Sequence, residues 1–175
     1  MNKVIWFTGF SGAGKSTLAL HLSEKLKEQH HKVSIIDGDQ LRQQFNDLGF
    51  SNEDRMKQMQ RAIELAKQQF DEDLFVIVAL ISPFTSVRKL ARETIGNESF
   101  LEVYLNTPLS VCEERDTKGL YKKARLGLIQ NMTGIDSIYE APLNPEITID
   151  TSKETMDQSV LKILELIARD QPTSF

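Results

Sequence analysis

The sequence predicts an α/β protein of three layers, with a central, mainly parallel sheet covered by helices on both faces. Short apolar runs recur at 4–7, 33–36, 74–81 and 100–105, with a weaker one at 147–149. They are continuous rather than alternating, as strands covered on both faces are. Helical patterns lie between them, so right-handed crossovers onto one parallel sheet are the economical connection. The 175 residues, 40% of them hydrophobic, suit one domain over 1–175, because a chain of roughly 150 residues or more can bury a sizeable core.

The first run, Val4-Ile5-Trp6-Phe7, ends at Thr8-Gly9; that length suits a buried strand and is too short for the apolar core of a signal peptide. The helix that follows carries Leu18, Leu22 and Leu26 at four-residue spacing and leaves through Gln29-His30-His31. His21, His30 and His31 are expected to face solvent or to end that helix. A second helix, over about 53–70, places Met59, Ile63, Ala66 and Phe70 on one face. A third covers about 86–95 and stops at Gly96, and a fourth covers about 109–115. The last helix presents Met156, Val160, Ile163, Leu164 and Ile167 as one stripe, with Thr151, Ser152 and Thr155 as candidate caps. Residues 116–144 are polar and show no helical stripe; a segment of that length in a small domain is a functional lid or disordered.

A net charge of −4 and a pI near 5.4 argue against a general nucleic-acid binder, which needs a basic surface. Any basic site must be local. No stretch approaches the roughly 20 apolar residues of a membrane span, so a soluble cytoplasmic protein is expected. The single cysteine, Cys112, excludes an internal disulfide and fits a reducing compartment; it is expected to be a half-buried structural thiol.

The segment Gly9-Phe10-Ser11-Gly12-Ala13-Gly14-Lys15-Ser16 has the Walker A pattern and stands between a strand and a helix, the context its mechanism requires. Its glycines let backbone N–H groups curl around a phosphate, and the following helix points its positive end at the same anion. Lys15 supplies charge between the β- and γ-phosphates of ATP, and Ser16 offers a hydroxyl to Mg²⁺. Gly9, Ser11, Gly12, Ala13, Gly14, Lys15, Ser16 and Thr17 are therefore the nucleotide-binding candidates, and ATP and Mg²⁺ the expected ligands. The fold expected is P-loop NTPase-like, and the activity phosphoryl transfer.

Asp37-Gly38-Asp39 follows the second strand, at the edge where open α/β sheets bind ligands. One of these carboxylates can accept the proton of an attacking hydroxyl or order a metal's water shell. Asp-Gly is also common in plain turns.

These pieces, with Leu41-Arg42, Leu48-Gly49-Phe50-Ser51, Asp54-Arg55, Ile81-Ser82-Pro83-Phe84, Thr107-Pro108-Leu109 and Cys112-Glu113-Glu114-Arg115-Asp116, resemble adenylylsulfate kinases in order and spacing. So do Lys118-Gly119-Leu120-Tyr121-Lys122-Lys123-Ala124-Arg125, Thr133-Gly134-Ile135-Asp136 and Tyr139-Glu140. The likeness covers residues 4 to about 150, and the lid run is far more specific than the P-loop. It implies transfer of the ATP γ-phosphoryl group to the ribose 3′-hydroxyl of adenylylsulfate. It further implies Asp39 as base or hydroxyl-orienting group, acceptor contacts from Arg42, Phe50, Arg55, Gln58, Ile81, Ser82, Lys118 and Met132, an ATP contact from Arg115, and a lid carrying Arg115 and Lys118 that closes over both nucleotides. Small nucleotides are the expected partners. Relatives commonly form homodimers, although the apolar pattern here does not require one.

The departures from the family pattern cluster on the acceptor side. Gln58-Met59-Gln60-Arg61 stands where the family usually has an asparagine, an aliphatic residue and two arginines, and Met132 replaces an aromatic residue. Gln40 takes the place of a usual asparagine, and Gln44-Phe45 that of a common glycine-leucine pair. Stacking on an aromatic face contributes roughly 1–3 kcal/mol per base, so a flexible thioether bears on which base is held. The alternative this raises is a relative of the family that phosphorylates cytidine diphosphoramidate in capsule biosynthesis. A nucleotide-binding protein without catalysis would be expected to have lost Lys15, Ser16 or Asp39, and all three are present.

Overall fold

The structure is a computed structural model that describes residues 2–45 and 51–169. Five parallel strands form one sheet in the order β2-β3-β1-β4-β5: β1 (Val4–Thr8), β2 (Val33–Asp37), β3 (Phe75–Ala79), β4 (Phe100–Leu105) and β5 (Ile147–Ile149). The central β1 pairs Val4 with Val76 on one side and with Phe100 on the other. Its side chains alternate between two cores. Ile5 and Phe7 join the core beneath α1 (Lys15–Glu28) and α7 (Met156–Arg169), whereas Val4 and Trp6 join the core beneath α3 (Asn52–Asp71) and α4 (Thr85–Ile95). A strand with both faces buried must be apolar at every position, which is why these runs do not alternate. The three-layer α/β fold expected from the sequence is the fold observed.

Helix boundaries follow local chemistry. Gly14 enters α1 in the left-handed region, at φ 96°. Ser51 and Asp54 form a reciprocal capping box at α3: Ser51 Oγ accepts from Asp54 N at 3.1 Å and Asp54 Oδ2 accepts from Ser51 N at 3.2 Å, an arrangement contributing about 1 kcal/mol. At α7 the caps expected at Thr151 and Ser152 are not used. Thr155 Oγ1 accepts from Gln158 N at 3.2 Å and Gln158 Oε1 accepts from Thr155 N at 2.9 Å.

Several elements differ from the expectation. Residues 38–44 form a short helix, α2 (Gly38–Gln44), because Asp37 Oδ1 accepts from Asp39 N at 2.9 Å and from Gln40 N at 3.5 Å. The run 74–81 contributes only Phe75–Ala79 to the sheet, and Ser82 just beyond it adopts φ 45°. Within 116–144, α6 (Leu120–Arg125) follows α5 (Leu109–Arg115); a six-residue helix is too short to display a stripe. Its first turn is capped by Asp116, whose carboxylate accepts from Tyr121 N and Lys122 N, each at 3.0 Å. Cys112 is fully buried rather than half-buried, and burial raises its thiol pKa. Among the described residues, no helix is long and apolar enough to cross a membrane.

Candidate functional site

The C-terminal ends of β1, β2 and β3 open into a cavity of about 420 Å³, within the range of small-molecule sites. Five cations and two carboxylates line it: Lys15, Arg42, Arg55, Arg115 and Lys118 against Asp37 and Asp39. On a chain of net charge −4, this local excess of positive charge suits a polyanionic ligand.

The loop between β1 and α1 forms one end. Lys15 Nζ donates to Gly9 O at 2.9 Å and to Phe10 O at 2.7 Å. Burial is the main cause that lowers the Lys15 pKa to about 8, with Lys118 adding to it and Cys112, Asp37 and Asp39 opposing. A Cβ on Gly12 would lie 2.8 Å from Cys112 O, at a φ of +77°, so only glycine lets α5 pack against the loop. Arg115 leaves α5 to close the same contact. Its Nη1 donates to Gly12 O at 3.1 Å and to Thr151 Oγ1 at 2.9 Å, and Nη2 donates to Thr151 O at 3.0 Å. Thr151 Oγ1 in turn donates to Ala13 O at 2.9 Å. Tyr121, buried on α6, donates from its hydroxyl to Ser11 O at 2.8 Å. The carbonyls of the loop thus have fixed donors, which leaves its curvature set by the surrounding framework.

Ser16 Oγ donates to Asp37 Oδ2 at 2.6 Å. A hydroxyl beside a carboxylate is an all-oxygen donor set that fits Mg²⁺, which keeps several waters and takes few protein ligands besides the phosphates. No group of three or more His, Cys, Asp or Glu suited to a metal occurs among the described residues, so a cation here would depend on its nucleotide. Asp39, in the first turn of α2, forms an ion pair with Lys118.

The far side of the cavity is built by α2, α3, the β3–α4 connection and residues 129–133. Arg42 is partly buried and Arg55 buried there, and desolvation leads the causes that lower both guanidinium pKa values. Arg55 Nη1 donates to Thr133 Oγ1 at 3.1 Å and to Ser137 Oγ at 3.0 Å. Gln58 Nε2 donates to Gly38 O at 2.8 Å; the side chain therefore supports the Asp37-Gly38-Asp39 turn. Met59, Leu80, Ile81 and Met132 supply an apolar wall. Ser82, at φ 45°, is held by three donors: Trp6 Nε1 to its Oγ at 3.0 Å, and Arg88 Nη1 at 2.7 Å and Thr8 Oγ1 at 3.2 Å to its carbonyl. A non-glycine residue in that region costs of order 1–3 kcal/mol and persists where its surroundings over-determine it.

The structure brings most of the sequence-derived candidates to one cavity. Ser11, Gly12, Gly14, Lys15, Ser16, Thr17, Asp39, Arg42, Arg55, Gln58, Ile81, Ser82, Arg115, Lys118 and Met132 all line it. Gly9 and Ala13 do not. Gly9 abuts Leu105 on β4, and Ala13 N donates back to Phe10 O at 3.2 Å. Phe50 lies outside the described residues. Arg115, expected in the lid, belongs to α5 and clamps the loop. Sequence reasoning noticed Thr151 only as a candidate helix cap and Tyr121 only within the lid run, and missed their grip on the loop, because their partners lie 138 and 110 residues away and leave no local pattern.

The sequence profile of the family described as Adenylylsulphate kinase matches residues 1–150. The chain is 53% identical over 170 residues to the adenylyl-sulfate kinase of Pseudomonas aeruginosa, spanning 97% of this chain and 87% of that protein. It is 49% identical over 166 residues to the adenylyl-sulfate kinase of Vibrio cholerae, spanning 94% and 77%. Among solved structures, the APS kinase CysC of Mycobacterium tuberculosis in complex with AMPPNP and APS superposes with a TM-score of 0.91 at 40% identity, covering 95% of this chain and 98% of that one. With the matching loop, cavity and fold, these similarities place the chain in the adenylylsulphate kinase family.

Proposed function

We propose that this chain transfers the γ-phosphoryl group of ATP to the ribose 3′-hydroxyl of adenylylsulfate, giving 3′-phosphoadenylylsulfate and ADP. The observation that carries the reading is the single cavity in which Lys15 and Ser16 stand at one end, Arg42 and Arg55 at the other, and Asp39 on the wall they share. Two anionic nucleotides need charge at both ends and a proton acceptor at the hydroxyl to be phosphorylated.

In this reading the 3′-oxygen attacks the γ-phosphorus, the bond from that phosphorus to the bridging oxygen breaks, and ADP carries the released charge. Asp39 orients the hydroxyl and accepts its proton. Lys15 and the loop N–H groups hold the β- and γ-phosphates, while Arg42 and Arg55 hold the phosphosulfate. Ser16, with Asp37 behind it, would hold Mg²⁺. The metal would neutralise charge building on the phosphate oxygens. Met132 and Met59 contact the acceptor base. Residues 116–144 act as a lid within a single kinase domain and exclude water, which otherwise competes with the ribose hydroxyl. A cytoplasmic location belongs to the same reading.

The test is ATP-to-ADP conversion with adenylylsulfate and with cytidine diphosphoramidate in parallel, each product identified by mass. A product heavier than adenylylsulfate by one phosphoryl group is expected; turnover of the cytidine compound alone would overturn the adenylyl assignment and make Met132 a determinant of base choice.

Nucleotide affinity should also depend on pH. A phosphate ligand favours protonated Lys15, whose pKa is about 8. Affinity is therefore expected to be level below that pH and to fall by up to about tenfold per unit above it, until the pKa of the complex is passed. Calorimetry at pH 7 and pH 9.5 should show weaker binding with proton uptake at the higher value; equal affinity at both would remove Lys15 from the phosphate site.

A further inference from the structure

Arg88 lies on α4, outside the cavity lining, yet its buried guanidinium gathers bonds from three separate parts of the chain. Nη1 donates to the carbonyl of Ser82 at 2.7 Å, on the wall of the cavity. Nη2 donates to the carbonyl of Glu140 at 2.6 Å, at the end of the lid segment. Nε pairs with Glu102 on β4 at 2.8 Å, so the charge is fixed to the sheet. Further bonds tie the end of the lid to the start of α4 and to β1. Glu140 N donates to Pro83 O at 2.8 Å, Glu140 Oε2 accepts from Thr85 N at 2.7 Å, and Tyr139 shares a hydroxyl hydrogen bond of 2.9 Å with Thr8.

A planar guanidinium presents its donors at fixed angles. Two carbonyls bonded to one such group are held at a set separation, and Glu102 sets where that group stands. Ser82 adopts a backbone conformation that serine does not favour, so its carbonyl stays in place only while its donors do.

From these contacts we propose that Arg88 is a positioning residue for the acceptor nucleotide. It holds the Ile81-Ser82-Pro83 wall and the end of the lid in register, without touching either substrate. The inference rests on the proposed kinase reading for the identity of the acceptor. It separates the two ends of the cavity, because the loop that grips ATP is clamped independently by Arg115, Thr151 and Tyr121.

The test variant is Arg88→Lys, which keeps a cation beside Glu102 but can reach one carbonyl at a time. Its KM for adenylylsulfate is expected to rise about tenfold while its KM for ATP stays within about twofold and kcat within about threefold, a split that general destabilisation does not produce. KM values that both stay at wild-type level, or that rise together, would overturn the assignment. Where Arg88→Lys does not fold, the pair Arg88→Met with Glu102→Met removes both buried charges at once and must show the same split. Failure of both proteins to fold would make Arg88 a stability residue and overturn the proposal. The amide of Glu140, which donates to Pro83, reads the coupling without any acceptor: hydrogen exchange at least about tenfold faster in the variant is expected, with α1 amides unchanged. If the wild-type protein leaves adenylylsulfate unconverted, the kinase reading falls, and this exchange measurement still decides the role of Arg88.

Discussion

Replacing Lys15 by alanine is expected to lower phosphoryl transfer by about 10³-fold or more, the scale seen when a charged donor is removed from a transferring phosphoryl group. The expectation comes from its position. Lys15 is 8% exposed, and its ammonium is turned onto Gly9 O and Phe10 O at the mouth of the loop. The cost of burying that charge appears in a pKa lowered to about 8. A ligand phosphate would offset this cost, so the interaction is strongest where negative charge concentrates in the transition state. The substitution removes two hydrogen bonds together with the desolvated charge, so the unfolding midpoint should change little. Product formation measured by mass spectrometry, beside a thermal unfolding curve, checks both statements. Turnover above about a tenth of wild type, in a variant that unfolds normally, would show that Lys15 does not stabilise the reacting phosphate.

Asp39→Asn is expected to lower kcat by about 10²–10³-fold with nucleotide affinity nearly intact, because Asp39 stands at the start of α2 and makes no bond to the loop around Lys15. The ion pair with Lys118 offers a second role, and the two can be separated. If Asp39 accepts the proton, Asp39→Asn loses far more turnover than Lys118→Met, which leaves the carboxylate in place. If Asp39 serves only to hold Lys118, the two single variants and the double variant should show the same loss. Full turnover in Asp39→Asn would dismiss the first role and the second together.

The acceptor side shows where reading the sequence meets its limit. Gln58 attracts notice as a departure from the family pattern, one methylene longer than the usual asparagine. Its amide nitrogen reaches Gly38 O, so the extra length supports the turn that carries Asp39. Residue type identified the position; only the coordinates identified the atom it touches. Arg115 behaves in the same way. Its charge is legible in the sequence, but its contacts are not, because its partners Gly12 and Thr151 lie 103 and 36 residues away.

The sequence by itself determined the layer order, the buried strands and the phosphate loop. Each of these is encoded locally: a strand covered on both faces must be apolar at successive positions, and a loop that wraps a phosphate needs glycine at fixed spacing beside a lysine and a hydroxyl. The tertiary structure alone decided the strand order, the start of α4 at Thr85 beneath the Glu140 carboxylate, the grip of Tyr121 on Ser11 and the convergence of Ser82 and Glu140 on Arg88. These contacts join residues from 52 to 110 positions apart, apart from the short step from Arg88 to Ser82. A hydrogen bond across such a separation depends on where packing delivers two groups, and packing against a sheet leaves no periodicity in either partner's own stretch of chain.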